Sequence, residues 1–309
     1  MRPAVYIPNH NGADHLGRAL SSLREQSRPL DVVVVDNGSS DHSVELLREQ
    51  FPEVALLALE RNRGFGPALN QAVREHRADP LILLNSDVEC GPRFVEALLD
   101  ANAEGVQSVA AVLLQERSPE LIDSAGVVAD RTLMGFDYLH GEPLAAAATA
   151  PAPLGPTGGA ALYERAAFEA VGGFDERIFL YYEDLDLALR MAAAGARCRL
   201  APGATALHAY SAGLGAGSGR KFAFTGWSRG YMLRRYGVMS DPRLALRALA
   251  CEAALCGGQL LLDRTAKGIG GRLRGWRAGG GLPPHRLDGA ELLDVSAREA
   301  LSLRRRRRG

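Results

Sequence analysis

Four short apolar runs, each stopped by a polar turn and each but the last followed at once by a helical stretch, constrain this chain more than any other feature. They cover residues 4–8 (AVYIP), 31–36 (DVVVVD), 54–59 and 81–84 (LILL). Runs that stay apolar without alternating read as strands buried on both faces, and strand–helix units of this length build a parallel sheet with crossover helices. The last run leads into Asn85-Ser86-Asp87-Val88-Glu89. In open α/β sheets, ligands bind beyond the carboxyl ends of the strands. Two carboxylates there offer hard oxygens suited to Mg²⁺ or Mn²⁺ and the phosphates such ions accompany. The same pair would serve equally as a solvated strand-end turn, so the rest of the chain has to decide.

The first strand–helix turn narrows the choice. A dinucleotide fold needs G-x-G-x-x-G there, so that backbone can approach a pyrophosphate. This chain has Pro8-Asn9-His10-Asn11-Gly12 instead, with one glycine and bulky neighbours. A nicotinamide dehydrogenase is excluded, and so is a nucleotidyltransferase with a basic glycine loop for a triphosphate. Asp36 still closes the second strand, where it could bond a ribose or a base edge.

The 309 residues allow one large domain, or one with an appendage. Acids and bases both number 36, but residues 304–308 are five consecutive arginines; without them 31 bases face 36 acids. No basic face for nucleic acid is expected in the folded body. Cys90, Cys198, Cys251 and Cys256 are scattered, with no CxxC pair, and read as reduced thiols. The first strand begins at once, so no secretory leader is expected.

The second half is less regular. Residues 109–114, 121–129 and 132–138 read as shorter strands of mixed direction, and 144–156, rich in Ala and Pro, as a mobile loop. Gly158-Gly159 precede a strand at 160–163 and a helix at 165–171. Acids in the first turn and an apolar stripe of Leu185, Ala188, Leu189 and Ala192 predict a helix from Glu183. Strands follow at 196–202 and 205–208. Residues 211–219 are small and glycine-rich, then 221–236 and 244–264 read as helices, with a last short helix at 290–303. The apolar region 244–262 is broken by Arg247, Glu252 and Gln259, an amphipathic helix rather than a membrane span.

Four segments line up in order: VYIPNHNG, VVVVDNGSSD, NRGFGPALNQA with LILLNSDVE, and GGFDERIFLYYEDLDLALR followed by His208. Together, over about residues 4–236, they resemble the inverting nucleotide-sugar glycosyltransferases of family 2, closest to the rhamnosyltransferase branch. That resemblance implies an α/β GT-A fold, a Rossmann-like mixed sheet flanked by helices. It implies a catalytic domain over 1–215, a C-terminal helical region over 216–303 and a basic tail over 304–309. It also implies transfer of a sugar, with dTDP-rhamnose the leading guess for the donor, to a glycan or lipid-linked glycan during cell-surface polysaccharide synthesis. A non-catalytic nucleotide-sugar-binding module is the alternative.

The resemblance also assigns roles. Asp184 is the base, and Asp87, Glu89 and His208 are the ligands of Mn²⁺ or Mg²⁺, although the family usually has Asp where Glu89 stands. Pro8, Asn9, Asn11, Asp36, Asn62, Gly64, Asp87, Arg220 and Lys221 would contact the donor, the last two from a lid over 211–221. Gly158, Gly159 and Glu183 would contact the acceptor. Trp227-Ser228-Arg229 stands where many relatives carry an Arg-Asn pair. The expected location is the cytoplasm. There the C-terminal helices could meet the inner face of the cell membrane or pack on the catalytic domain.

Overall fold

The computed structural model describes residues 2–209, 218–296 and 298–300. The first half alternates as its apolar runs predict: β1 (Ala4–Asn9), α1 (Ala13–Arg24), β2 (Asp31–Asp36), α2 (Ser43–Gln50), β3 (Ala55–Ala58), α3 (Phe65–Glu75) and β4 (Leu81–Leu84). A short β5 (Val88–Cys90) and α4 (Phe94–Ala101) follow. Then come β6 (Ser108–Gln115), β7 (Ser118–Ser124), β8 (Val127–Ala129), β9 (Gly135–Asp137) and β10 (Ala160–Tyr163). The chain continues through α5 (Arg165–Ala170), α6 (Glu183–Ala193) and β11 (Cys198–His208), and closes with α7 (Gly219–Arg235), α8 (Pro242–Leu261) and α9 (Lys267–Ala278).

Among the described residues, nine strands form the main sheet in the order β3-β2-β1-β4-β10-β6-β11-β5, with β7 pairing β6. β1 is parallel to both β2 and β4, so the chain leaves β1 in two directions and opens a crevice at their carboxyl ends. β10 runs antiparallel between β4 and β6, which makes the sheet mixed. Alternation along β1 explains the two main cores. Val5 and Ile7 face Leu16 and Leu20 of α1, while Ala4 and Tyr6 face Leu69 and Val73 of α3. Each such Leu or Ile, fully withdrawn from water, contributes about 1.5–3 kcal/mol.

Three expectations need correction. Residues 121–129 hold parts of two strands, because Gly126, at φ 117°, breaks the run. Residues 144–156 are anchored rather than mobile, with Leu144–Ala148 in a 3-10 turn and Gly155 bridged to Val127. The strands expected at 196–202 and 205–208 are one strand, β11, with a register shift between Leu200 and Thr205.

The C-terminal helices dock through glycine contacts and buried ions. On α9, Gly271 and Gly275 lie against the backbone of Ala223 and Trp227 in α7, and Gly226 and Gly230 of α7 lie against Gly268 and Arg272. A Cβ at any of these four would overlap a carbonyl of the other helix. Glu252 of α8 accepts from Arg229 Nε at 2.6 Å and Arg272 Nε at 2.5 Å, joining all three helices. Arg247 pairs with Asp130 at 2.7 Å. Breaking a buried ion set from one side is costly because the partner charge stays behind. Glu252→Ala strands two arginines and is expected to lower stability by about 3–5 kcal/mol, read as a fall in the urea midpoint.

Candidate active site

The crevice at the carboxyl end of β1 is built by polar side chains that fix one another. Asn9, buried at the end of β1, donates to Asp36 Oδ1 at 3.2 Å, and Asp36 Oδ2 accepts from the Ser39 N–H at 3.0 Å. Asn11, at φ 54°, accepts from the Ser40 N–H at 2.7 Å. Asn37 donates to Asn62 Oδ1 and to the Gly64 carbonyl and accepts from the Arg63 N–H, lacing the β2–α2 loop to the β3–α3 loop. Gly64 is required for a reason other than ligand approach. At φ 97° its Cβ would meet the Phe179 carbonyl, to which the Phe65 N–H donates at 2.9 Å. That contact ties α3 to the segment leading into α6.

The turn after β4 carries Asp87 beside this crevice, with Ser86 near Gly12 of the first loop. Asp87 is half-buried, with its Oδ1 withdrawn from solvent. It faces His208 Nε2 at 3.5 Å, from the end of β11. His208 Nδ1 meets Asp123 Oδ2 at 2.7 Å, and the backbone carbonyl of Asp123 lies 2.7 Å from His140 Nδ1. Burial alone would lower the His208 pKa; the bonds with Asp123 and Asp87 outweigh it and push it up to about 10. Burial likewise opposes, and the imidazole outweighs, so that Asp87 lies below its ordinary value.

Glu89 does not join them. In β5 its carboxylate lies 3.8 Å from Arg18 of α1, which pairs with Glu116 at 2.8 Å. It lines a cleft of about 550 Å³ with Ser22 and Thr205. No group of three or more His, Cys, Asp or Glu able to hold an ion converges among the described residues. Of the expected trio, the structure brings Asp87 and His208 face to face. The pair fits a divalent ion: a carboxylate oxygen withdrawn from solvent faces an imidazole nitrogen whose opposite nitrogen is fixed by an acid. Remaining ligands would come from donor oxygens and water.

Asp184 enters from the far side. Tyr181 and Tyr182 both have positive φ, 70° and 72°, a rare conformation for bulky residues, and they turn the chain sharply into α6. Asp184 Oδ2 accepts from the Gly158 N–H at 3.0 Å and Oδ1 from the Leu185 N–H at 2.8 Å. Gly159 in turn accepts from the Asn85 N–H at 3.0 Å, which brings the Asp184 side and the Asp87 side together. Glu183 is buried with Oε2 unpartnered; burial and then the Asp184 charge push its pKa up to about 8. Asp186 and Arg190 form a structural pair at 2.7 Å.

Lys221 at the start of α7 lies over the Tyr181 ring, 5.8 Å from its centroid, and Arg220 is exposed. The rest of the expected lid, 211–217, and the tail 304–309 lie outside the described residues. Arg229 is buried against Glu252 and is a docking residue. Asp123 and His140 stand in no motif that marks them as partners in the site. An acid inside the apolar stretch LIDSAG was the one available signal.

Residues 4–172 match the family model described as glycosyl transferase family 2. The chain is 32% identical over 231 residues to N-acetylglucosaminyl-diphospho-decaprenol L-rhamnosyltransferase of Mycobacterium tuberculosis, covering 67% of this chain and 75% of that one. It is also 32% identical over 117 residues, 35% of this chain and 36% of the relative, to an undecaprenyl-phosphate 4-deoxy-4-formamido-L-arabinose transferase of Pectobacterium carotovorum. Its fold is similar to that of a Pyrobaculum calidifontis mannosyltransferase in complex with GDP-Man and Mn²⁺. There the TM-score is 0.53 and the identity 20%, over 90% of this chain and 86% of that one. It is also similar to GalNAc-T7 with UDP, GalNAc and Mn²⁺, at TM-score 0.62 and 15% identity, over 92% of this chain and 55% of that one.

A carboxyl whose folded pKa is raised binds its proton in the folded state at a pH where the unfolded chain has lost it. Stability therefore falls as pH rises from about 4.5 through about 8. Glu183→Gln removes that fall. The variant is expected to gain on the parent by roughly 4 kcal/mol between pH 5 and pH 9, measured from urea midpoints.

Proposed function

The chain belongs to glycosyl transferase family 2, and within it we propose a metal-dependent, inverting transfer of one sugar to a lipid-linked glycan acceptor. The donor would be a nucleoside diphosphate sugar, with dTDP-rhamnose the leading guess, and the product would feed cell-surface polysaccharide synthesis at the cytoplasmic side of a membrane. The names of the Mycobacterium and Pectobacterium relatives, both of which end their acceptors in a polyprenol, support the lipid-linked class. One observation carries the chemistry: the 158–159 turn holds Asp184 on one side and the Asp87 strand end on the other.

In this reading Asn9 and Asp36, with the backbone of Pro8 and Asn11, receive the nucleoside, and Asn62 and Gly64 bound the same pocket. Arg220 and Lys221 balance the diphosphate from the start of α7. Asp87 and His208 would hold Mn²⁺ or Mg²⁺, which when bound offsets the charge developing on a leaving diphosphate. Asp184 takes the proton from the acceptor hydroxyl as that oxygen attacks the anomeric carbon. The new bond forms opposite the leaving group, so the configuration inverts in one displacement without a covalent intermediate. Glu183, which keeps its proton beside Asp184, can donate to an acceptor oxygen through its unpartnered side. The catalytic part would span 1–215, with 216–303 as a helical extension.

Asp184→Asn is expected to lower transfer by about 10²–10⁴-fold while donor binding, followed by calorimetry, stays intact. Retained turnover would remove Asp184 as the base. Asp87→Ala is expected to abolish the Mn²⁺-dependent part of dTDP binding. Asp123→Asn should weaken Mn²⁺ binding about 10–100-fold by loosening His208. Equal titrations with and without chelator would overturn the metal pair.

A further inference from the structure

Helix α8 is built inside out. Its polar residues face the protein: Arg247 reaches Asp130, Glu252 bridges Arg229 and Arg272, and Gln259 is buried beside Gly268. Leu244 and Leu255 pack inward, but its other leucines face away. Leu246 is 73% exposed, Leu249 56%, Leu261 81%, and Leu262 just beyond the helix 75%, with Ala250, Ala253 and Ala254 exposed between them. By length and composition α8 could cross a membrane. A span would pull Arg247 and Glu252 off their partners, so the apolar face has to be covered with the helix lying flat.

Charge selects the cover. Exposed Arg243 stands at one end of this face and exposed Arg264 and Lys267 at the other, while α9, running back along α8 from the Gly268–Gln259 contact to the Arg272–Glu252 pair, adds exposed Arg274 and Arg277. Across residues 242–278 the acids are Glu252, spent on its arginine pairs, and Asp263. A second copy laid antiparallel across the face would set cations against cations. Anionic headgroups neutralise both ends at once while leucines enter the acyl boundary. The face also borders the reaction: the Lys267 side chain packs against Gly219, two residues from Lys221 beside Tyr181.

We infer that the α8 face seats this enzyme flat on an anionic lipid bilayer, leucines in the interface, with the active site next to the surface. The inference rests on the proposed lipid-linked acceptor and names the surface from which that acceptor is taken. The full chain is expected to float with vesicles of phosphatidylcholine containing about 30% phosphatidylglycerol, and several-fold less with phosphatidylcholine alone. The variant Leu246→Gln/Leu249→Gln/Leu261→Gln/Leu262→Gln changes only exposed side chains. It is expected to keep its circular dichroism and urea midpoint and to lose vesicle binding by at least about tenfold. A parent chain that stays in solution, or a variant that floats equally, overturns the inference. So does a parent dimer that the four substitutions dissociate without any vesicle binding. Mn²⁺-dependent dTDP binding, titrated on both proteins, separates the two claims. Its loss with intact flotation would defeat the reading of the site and leave the bilayer surface standing.

Discussion

The Gly158 N–H donates to Asp184 Oδ2 at 3.0 Å, and one residue on, the Gly159 carbonyl accepts from the Asn85 N–H at 3.0 Å. This two-residue turn is where the separate parts of the fold meet. It precedes β10, the antiparallel strand wedged between β4 and β6, so its position is set by ladders on both sides. A Cβ at Gly159 would press on Leu113, whereas one at Gly158 would only touch Phe65. The turn thus fixes the Asp184 carboxylate on α6, through a backbone N–H, relative to the chain that enters the Asp87 turn, through a backbone–backbone bond. A reaction needing a base on one side of a sugar and charge neutralisation on the other depends on that kind of rigidity.

Charges in the molecule are buried under two different regimes. Glu252 lies between Arg229 and Arg272, a closed set whose carboxylate is satisfied from both sides. Around Asp87 the set is open: its Oδ1 is withdrawn from solvent, and the facing imidazole is held by Asp123 from behind. An open set is a poor stabiliser, because desolvation is only partly offset. It can receive a cation in exchange for the proton on His208, because the two compete for the same lone pair. Glu183 belongs with the open set, its unpartnered oxygen beside Asp184. Such sites are expected to cluster where function, rather than folding, sets the arrangement.

The parallel half of the sheet was legible because doubly buried strands need continuous apolar runs and their turns need Asn, Asp and Gly. Asp36, Asp87 and His208 stand at strand ends as expected. For Glu89 a spacing of two says nothing of what the side chain meets; in the fold it lies 3.8 Å from Arg18 on α1. Asp123 escaped notice because its partner lies 85 residues away. The sharp entry to α6 depends on Tyr181 and Tyr182 at positive φ, which no propensity foretells. α9 was missed for a physical reason as well: glycines that read as helix breakers are the residues that let its backbone press against α7.

Residues 244–262 show the limit of pattern reading most clearly. Arg247, Glu252 and Gln259 within an apolar run imply an amphipathic helix, and the ordinary orientation puts its leucines inward. The ordinary orientation is met only in part, by Leu244, Ala248, Cys251 and Leu255 packing on the cores beneath; α7 and α9 do not hold the other leucines. What they offer instead is guanidinium groups, Arg229 from one helix and Arg272 from the other. Glu252 answers both, and Arg247 answers Asp130. Satisfying those buried charges fixes the rotation of α8 about its axis, because an unpaired buried ion costs more than an exposed leucine. The outward leucines are then a consequence of the ion pairs, and the face they form is continuous because the helix has spent its polar residues on the inside.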